Sequence, residues 1–131
     1  MKILNRDVDY AVRALVLMAR NDRPATPVAG MREEVRVSGP FLRKIMQKLQ
    51  RSGFVHSVKG KGGGFALARD PGNIRLGELV SALQGGIRLN DCVSGGKLCA
   101  FHSACKLRGR LASMEGRLLE ELAAITVKDL A

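Results

Sequence analysis

The sequence is poor in aromatic and in acidic side chains. Its 131 residues include no Trp, one Tyr and four Phe, which disfavours binding of single-stranded nucleic acid by base stacking on an aromatic platform. Only 12 Asp and Glu stand against 22 Lys and Arg, and the net charge is +10. This excess favours a polyanionic partner, with double-stranded nucleic acid as the first candidate and a solvated basic surface as the alternative.

Long apolar runs are also missing. No stretch of about 18 apolar residues occurs, and Asp7, Asp9 and Arg13 interrupt the region where a signal peptide needs an apolar core. We therefore expect a cytoplasmic protein that has no membrane partner. A chain of 131 residues with 46% hydrophobic and 26% charged residues is typical of one globular domain with its own core.

Cysteine is scarce, and all three copies lie in the single stretch 92–105, as Cys92, Cys99 and Cys105. In a reducing compartment such a cluster is more typical of a metal or redox site than of a disulfide framework. A glycine-containing loop can turn several sulfurs towards one point, which suits a soft metal or an iron–sulfur cluster. Three ligands do not complete a tetrahedral structural site, so a fourth ligand must be found.

Apolar periodicity predicts a mainly helical fold. The first helix is predicted over 6–21, where Asp9 lies in an early turn and would favour the positive end of the helix dipole. Thr26 followed by Pro27 predicts the N-cap and the first position of a second, short helix.

A third helix is predicted to start at Ser38 as N-cap and to end before Gly53, a left-handed C-terminal cap. Two short helices joined by a tight break, the second of them basic on its outer face, match a helix-turn-helix. We expect this outer face and the cap to contact the major groove and its phosphates, with Lys48 neutralising a phosphate. The residues concerned are Ser38, Arg43, Lys44, Gln47, Lys48 and Arg51.

The next segment predicts a two-stranded hairpin, the wing of a winged helix. Residues 54–58 alternate apolar and polar, 59–64 form a glycine-rich turn, and 65–68 form the second strand. A nucleotide-binding loop is disfavoured because it needs a helix directly after the glycines. We expect the wing to contact the minor groove or the DNA backbone through Lys59, Lys61, Gly62 and Gly63.

Two further helices are predicted after the wing. One spans 76–83 and ends at Gly85–Gly86, and a long one spans 105–125, followed by a last turn capped by Thr126. The apolar stripe of the long helix could fold onto the core or pack against a second copy, and we favour the dimer. The expected division is a DNA-binding domain at 1–84, a cysteine-rich loop at 85–104 and a dimerisation helix with a C-terminal turn at 105–131.

This order of winged helix, GKGGGF wing, helix, three-cysteine loop and long helix resembles the Rrf2 family of bacterial transcription regulators. The residues that carry the resemblance run from DYAVRAL at 9–15 through FLRKIMQKLQRSGFVHSVKGKGGGFALARDP at 41–71 to ITVKDL at 125–130. The resemblance therefore covers essentially the whole chain. The cysteine triplet is specific to the cluster-binding branch, which includes IscR-like and NsrR-like members.

The resemblance implies that Cys92, Cys99 and Cys105 ligate an iron–sulfur cluster, either [2Fe–2S] or [4Fe–4S]. IscR-like members take a fourth ligand from a histidine three residues after the last cysteine, a position that is Arg108 here. That solution is therefore absent from this chain.

NsrR-like members take the fourth ligand from an aspartate in the first helix of the partner subunit. Asp9 occupies the matching place, ahead of the run 10–13. The resemblance thus implies Asp9 as the fourth ligand, with His102 as the alternative and solvent or a small thiol as further ones. An oxygen ligand bonds iron weakly in a soft site, so such a cluster would be labile.

We therefore expect a homodimeric DNA-binding repressor whose operator affinity depends on a labile iron–sulfur cluster that senses nitric oxide, redox state or cluster supply. Its partners would be double-stranded DNA and its own copy, with no small-molecule substrate. The alternative is a zinc- or thiol-controlled DNA-binding regulator without a cluster. An enzyme with a cysteine nucleophile beside His102 is disfavoured, because the sequence assembles no acid–base pair around it.

Overall fold

The chain folds into a helical core that carries one β-hairpin. A computed structural model describes residues 2–21, 23–93 and 99–131, and in these ranges a mainly helical fold with a hairpin wing confirms the predicted class. The elements are α1 (Arg6–Arg20), α2 (Val28–Val35), α3 (Gly39–Arg51), β1 (Val55–Val58), β2 (Gly64–Leu67), a 3-10 turn (Pro71–Asn73), α4 (Leu76–Gln84), α5 (Lys106–Ala124) and α6 (Val127–Leu130).

Helix α1 lies at the centre of the core. It begins at Asn5, whose side-chain oxygen accepts a hydrogen bond of 2.9 Å from the backbone N–H of Val8, so one free N–H of the first turn is satisfied. It packs against α2, α3, α4 and α6. The predicted first helix is confirmed, and its buried side is formed by Val8, Ala11, Ala14, Leu15 and Met18. Burial of each larger side chain contributes about 1.5–3 kcal/mol.

Helices α2 and α3 form the helix-turn-helix. Helix α2 ends at Arg36, which has a left-handed backbone with φ 57. The predicted cap of α3 is confirmed, because the side-chain oxygen of Ser38 accepts a hydrogen bond of 3.4 Å from Phe41 N–H. Gly53 has a φ of 80 just beyond the end of α3, as predicted for a left-handed cap.

The predicted cap of α2 was wrong. Pro27 occupies the cap position, and Thr26 is buried in a bridge to the hairpin. Thr26 N–H donates to the Phe65 carbonyl at 2.8 Å, and Phe65 N–H donates to the Thr26 carbonyl at 3.0 Å. The β-branched side chain suits this strand-like pairing, and its hydroxyl oxygen accepts a hydrogen bond from the Asn21 amide at 3.1 Å.

The wing is confirmed. Strands β1 and β2 pair antiparallel, from Val55 opposite Leu67 to Val58 opposite Gly64. Gly64 lies so close to the bridge that an added Cβ would be 2.1 Å from the Thr26 carbonyl oxygen. The hairpin can therefore dock against the segment before α2 only with glycine at this position.

Helix α5 is anchored at its C-terminal end. Leu122 is buried against α4, and Thr126 and Asp129 form a capping box that starts α6, confirming the predicted last turn. Val127 is 1% exposed and returns the chain to the core. The N-terminal part of α5 carries apolar side chains that stay exposed in one chain, Leu107 at 64% and Met114 at 48%. None of the described helices is long and apolar enough to cross a membrane.

Candidate nucleic-acid interface and cysteine segment

The outer face of α3 is basic and exposed. The four side chains Leu42, Ile45, Met46 and Leu49 are buried, and a helix turns by about 100° per residue. Lys44, Gln47 and Arg51 therefore lie at the centre of the opposite side, and all three are exposed. Arg43, also exposed, lies at one edge of that face.

Lys48 lies at the other edge of α3 and is directed back into the protein. Its ammonium group forms a part-buried ion pair and hydrogen bond with the Asp7 carboxylate of α1. The side chains are 34% and 18% exposed. The positive charge of Lys48 is therefore compensated inside the chain, and this pair fixes α3 against α1.

The wing follows α3 directly. Phe54 N–H donates to the Leu49 carbonyl at 3.0 Å, which joins the start of the hairpin to the last turn of α3. Lys59, Lys61 and Gly62 are exposed at the tip. Gly63 serves the turn itself, since an added Cβ would be 2.3 Å from the Val58 carbonyl oxygen.

The three predicted cysteine ligands are all free thiols. Cys92 and Cys105 are half-buried and Cys99 is exposed. Residues 94–98, which include the glycines of the first cysteine interval, lie outside the described residues. Cys105 is the N-cap of α5 rather than part of it, and its Sγ accepts a hydrogen bond from Arg108 N–H at 3.4 Å.

Two side chains of α5 form hydrogen bonds to the backbone of residues 89–92, which lead into the cysteine segment. The Arg108 guanidinium donates from Nε to the Cys92 carbonyl at 3.0 Å. About two turns further along α5, a Glu115 carboxylate oxygen accepts a hydrogen bond of 3.1 Å from Leu89 N–H. Arg108 therefore contacts Cys92 through its side chain and Cys105 through its backbone, so that these two cysteines lie on either side of one residue.

His102 is half-buried within a turn of the segment, and its backbone N–H donates to the Cys99 carbonyl at 3.0 Å. The described ranges contain no group of three or more His, Cys, Asp or Glu side chains that could hold a metal ion. Among the described residues of one chain, the three cysteines are thus not brought together as a complete site.

Asp9 is exposed on α1. Its carboxylate forms an i, i+4 ion pair with Arg13 at 3.3 Å, with side-chain exposures of 53% and 56% for Asp9 and Arg13. The carboxylate can therefore be reached from outside the chain. The Arg13 guanidinium also lies over the Tyr10 ring, 5.2 Å from its centroid.

Sequence reasoning missed Asp7, Arg108 and Glu115. Each acts on a residue distant in the chain, so a local pattern gives little signal. The one available signal was the mismatch at Arg108, where a basic side chain replaces the histidine expected for one branch of the resembling family.

Comparisons with known proteins agree with this architecture. A family model described as Rrf2, iron-dependent transcriptional regulator, matches residues 4–131. The HTH-type transcriptional regulator NsrR of Shouchella clausii (strain KSM-K16) is 31% identical over 124 residues, covering 93% of this chain and 83% of that protein.

Solved structures share the fold. CymR (YrzC), the global cysteine regulator of B. subtilis, superposes with a TM-score of 0.82 at 20% identity, covering 100% of this chain and 97% of that one. T. potens IscR gives a TM-score of 0.79 at 23% identity, covering 99% and 85%. The family match and the NsrR similarity establish the function class as well as the fold: the chain belongs to the Rrf2 family of DNA-binding transcriptional regulators and is not an enzyme.

Proposed function

We propose that the protein is a homodimeric repressor whose operator affinity is controlled by a labile iron–sulfur cluster held by Cys92, Cys99 and Cys105. The observation that carries this proposal is the Arg108 bridge, which holds Cys92 and Cys105 at the base of one exposed segment. The family's description as iron-dependent supports it. Because its target is the chromosome, we place the protein in the cytoplasm.

The donor chemistry of the segment fits a cluster. Its thiols are free, and the Arg108 N–H that donates to Cys105 Sγ is the kind of hydrogen bond to sulfur that tunes the reduction potential of a cluster. When bound, an iron–sulfur cluster would supply a group that reacts with nitric oxide and oxygen, which protein side chains do not offer. The side chains of this chain would hold it and transmit its presence.

The fourth ligand in this proposal is Asp9 of the partner subunit. Ligation requires the carboxylate to leave Arg13, and an exposed ion pair of this kind contributes less than about 1 kcal/mol. Donation across a dimer is in keeping with the absence of a complete ligand set among the described residues of one chain. His102, within the same segment as the cysteines, is the alternative ligand.

The dimer in this proposal forms along α5. Leu107, Met114 and Leu119 are exposed in the single chain, and a second copy related by a two-fold axis would cover them. The functional division is then DNA binding by 1–84, cluster binding by 85–104 and dimerisation by 105–131. The outer face of α3 and the wing tip of each copy would contact one half-site.

The decisive experiment is an anaerobic absorption spectrum with iron and sulfide counts, on the wild type, Asp9→Ala and His102→Ala. We expect a coloured wild type and an Asp9→Ala variant whose cluster is altered or lost faster in air, with His102→Ala matching the wild type. The reverse pattern would make His102 the ligand. A cluster unchanged in both variants would exclude both residues.

The second candidate is a zinc- or thiol-controlled regulator without a cluster. The exposure of Cys99 favours it, because an exposed thiol is accessible to oxidants and to a soft metal. In that case anaerobic purification should give a colourless protein, with either stoichiometric zinc or a DNA affinity that changes on thiol oxidation.

A further inference from the structure

An open cleft lies where α1, α2 and α3 meet, at the turn of the helix-turn-helix. Three arginines line it together: Arg6 from α1, Arg32 from α2 and Arg36 from the turn. Among the described residues none of the three forms an ion pair. The cleft thus gathers three positive charges against one lining carboxylate, Glu33, and none of the described ion pairs joins that carboxylate to the arginines.

Two of these arginines are directed at the first turn of α3. The Arg6 guanidinium lies over the Phe41 ring, 4.5 Å from its centroid, and beside the Tyr10 ring at 5.6 Å. Arg32 extends past Gly39, and its Cδ is 3.8 Å from where a Cβ on that residue would lie. A guanidinium that stacks by its face keeps the N–H groups of its edge free to bind an oxyanion.

This arrangement disfavours the free protein in two ways. Cations are unfavourable beside the positive end of a helix dipole, which is the first turn of α3. In addition, Arg36 has a left-handed backbone with φ 57, where glycine is the ordinary residue and a side chain adds strain. A bound anion would offset the unfavourable placement of cations beside the N-terminus of α3. Binding of that anion by the Arg36 guanidinium would also account for an arginine, rather than a glycine, at a left-handed position.

We propose that this arginine cleft binds a backbone phosphodiester of duplex DNA. It lies at the start of the helix that enters the major groove in helix-turn-helix proteins, where the sugar–phosphate backbone runs alongside. The inference rests on the DNA-binding function and is independent of the cluster. Glu33 also lines the cleft, and its carboxylate would repel a bound phosphate. Removing an arginine should therefore weaken DNA binding, whereas removing the Glu33 charge should strengthen it.

Arg36→Gly separates binding from stability. Glycine relieves the left-handed strain, so the melting temperature should rise, while loss of the guanidinium should weaken binding to a random-sequence duplex by roughly five- to tenfold at low salt. The slope of log affinity against log salt should fall by about 0.9 per protomer. Lys128→Ala on α6, outside the cleft, removes the same charge and should change the slope less. Equal slopes for the wild type and Arg36→Gly would overturn the proposal.

Glu33→Gln tests the sign. Removing the carboxylate should strengthen duplex binding about twofold to fivefold at low salt, because one repulsion with phosphate is removed. Unchanged or weaker binding would count against the site. A wild type that does not bind duplex DNA at all would instead contradict the DNA-binding function itself.

Inorganic phosphate identifies the source of the anion. At matched ionic strength we expect phosphate to raise the wild-type melting temperature more than chloride does, and Arg36→Gly to lose the difference. Loss of the phosphate response together with weaker duplex binding supports a site for the DNA backbone. A phosphate response without any effect of Arg36→Gly on duplex binding would assign the cleft to a free anion and overturn the DNA assignment.

Discussion

The helix-turn-helix and the cysteine segment are built by different means. The first is held by buried apolar side chains from α1, α2, α3 and α4, so a single chain specifies it completely. The second is attached to α5 by hydrogen bonds from Arg108 and to Glu115, and its thiols are exposed or half-buried. The helix-turn-helix is therefore complete in one chain, whereas the cysteine segment is held to α5 by a few hydrogen bonds and has no core of its own.

The largest effect on stability should come from a change in the buried core of the helix-turn-helix. Ile45→Ala removes a fully buried side chain from α3 and should lower the free energy of unfolding by about 2–5 kcal/mol. Chemical denaturation followed by circular dichroism measures this. A loss as small as that of an exposed substitution such as Gln47→Ala would contradict the contrast between the two regions.

The next effect concerns α5. Met114→Glu places a charge on the apolar side that is exposed in one chain, so the proposed dimer should weaken by about 3 kcal/mol, or roughly a hundredfold in its dissociation constant. Sedimentation over a range of concentrations measures it, and the helical content should not change. Ser113→Glu, at an exposed position on α5 that lies about 100° or more around the helix from Leu107, Met114 and Leu119, is the control, and equal effects would argue against this dimer surface.

Arg108→Ala tests the fastening of the cysteine segment. Under the proposed function we expect roughly tenfold faster loss of cluster absorbance in air, as for other residues that orient ligands. The melting temperature should change little, because the hydrogen bond lies outside the core. Arg110→Ala removes an exposed arginine from the same helix and should behave like the wild type. Equal rates in the two variants would leave Arg108 with no role in holding the ligands.

A smaller effect separates two lysines of α3. Lys44 is exposed, so Lys44→Ala should lower the salt slope of DNA binding by about 0.9 per protomer. Lys48→Ala should change the slope less and instead cost about 1 kcal/mol of stability, because Asp7 loses its partner. A larger slope change for Lys48 than for Lys44 would support the predicted phosphate contact of Lys48.

The smallest expected effect is on acid stability. The backbone N–H of Arg75, followed by the Arg69 guanidinium, lowers the pKa of Glu78 below its ordinary value of 4.5. A lowered pKa contributes stability that is present above 4.5 and is lost as the pH falls through the folded-state value. Thermal melts of Glu78→Gln should therefore lose part of the pH dependence below 4.5, and an unchanged profile would contradict the assignment.

Local sequence patterns predicted most of the elements of the helix-turn-helix and its wing. Alternation and glycines located the wing, and the Ser38 cap follows from a short motif that acts on its own neighbours. Thr26 was misassigned because its partner, Phe65, lies in a distant strand. The amphipathic pattern of α3 could place Lys48 at the edge of the outer face, but it could not reveal a carboxylate 41 residues away.

For the cysteine segment, the residue types predicted the kind of ligand site, but the sequence did not predict its geometry. The spacing of three thiols indicated a soft ligand site, yet nothing in one sequence fixes how far apart they lie. Arg108 shows the limit, because its contact to Cys92 spans 16 residues and joins two parts of an irregular segment. A ligand from a second copy, as proposed for Asp9, would leave no periodic pattern in the sequence.

The close contact of Gly64 with Thr26 has a genetic consequence. Every single-base change of a glycine codon that is not silent encodes a stop or a residue with a Cβ, and an added Cβ here would overlap the Thr26 carbonyl oxygen. No gradual series of substitutions is therefore open to this position, and random mutagenesis should find it intolerant to every replacement. We therefore expect any substitution of Gly64 to disrupt the docking of the hairpin against Thr26.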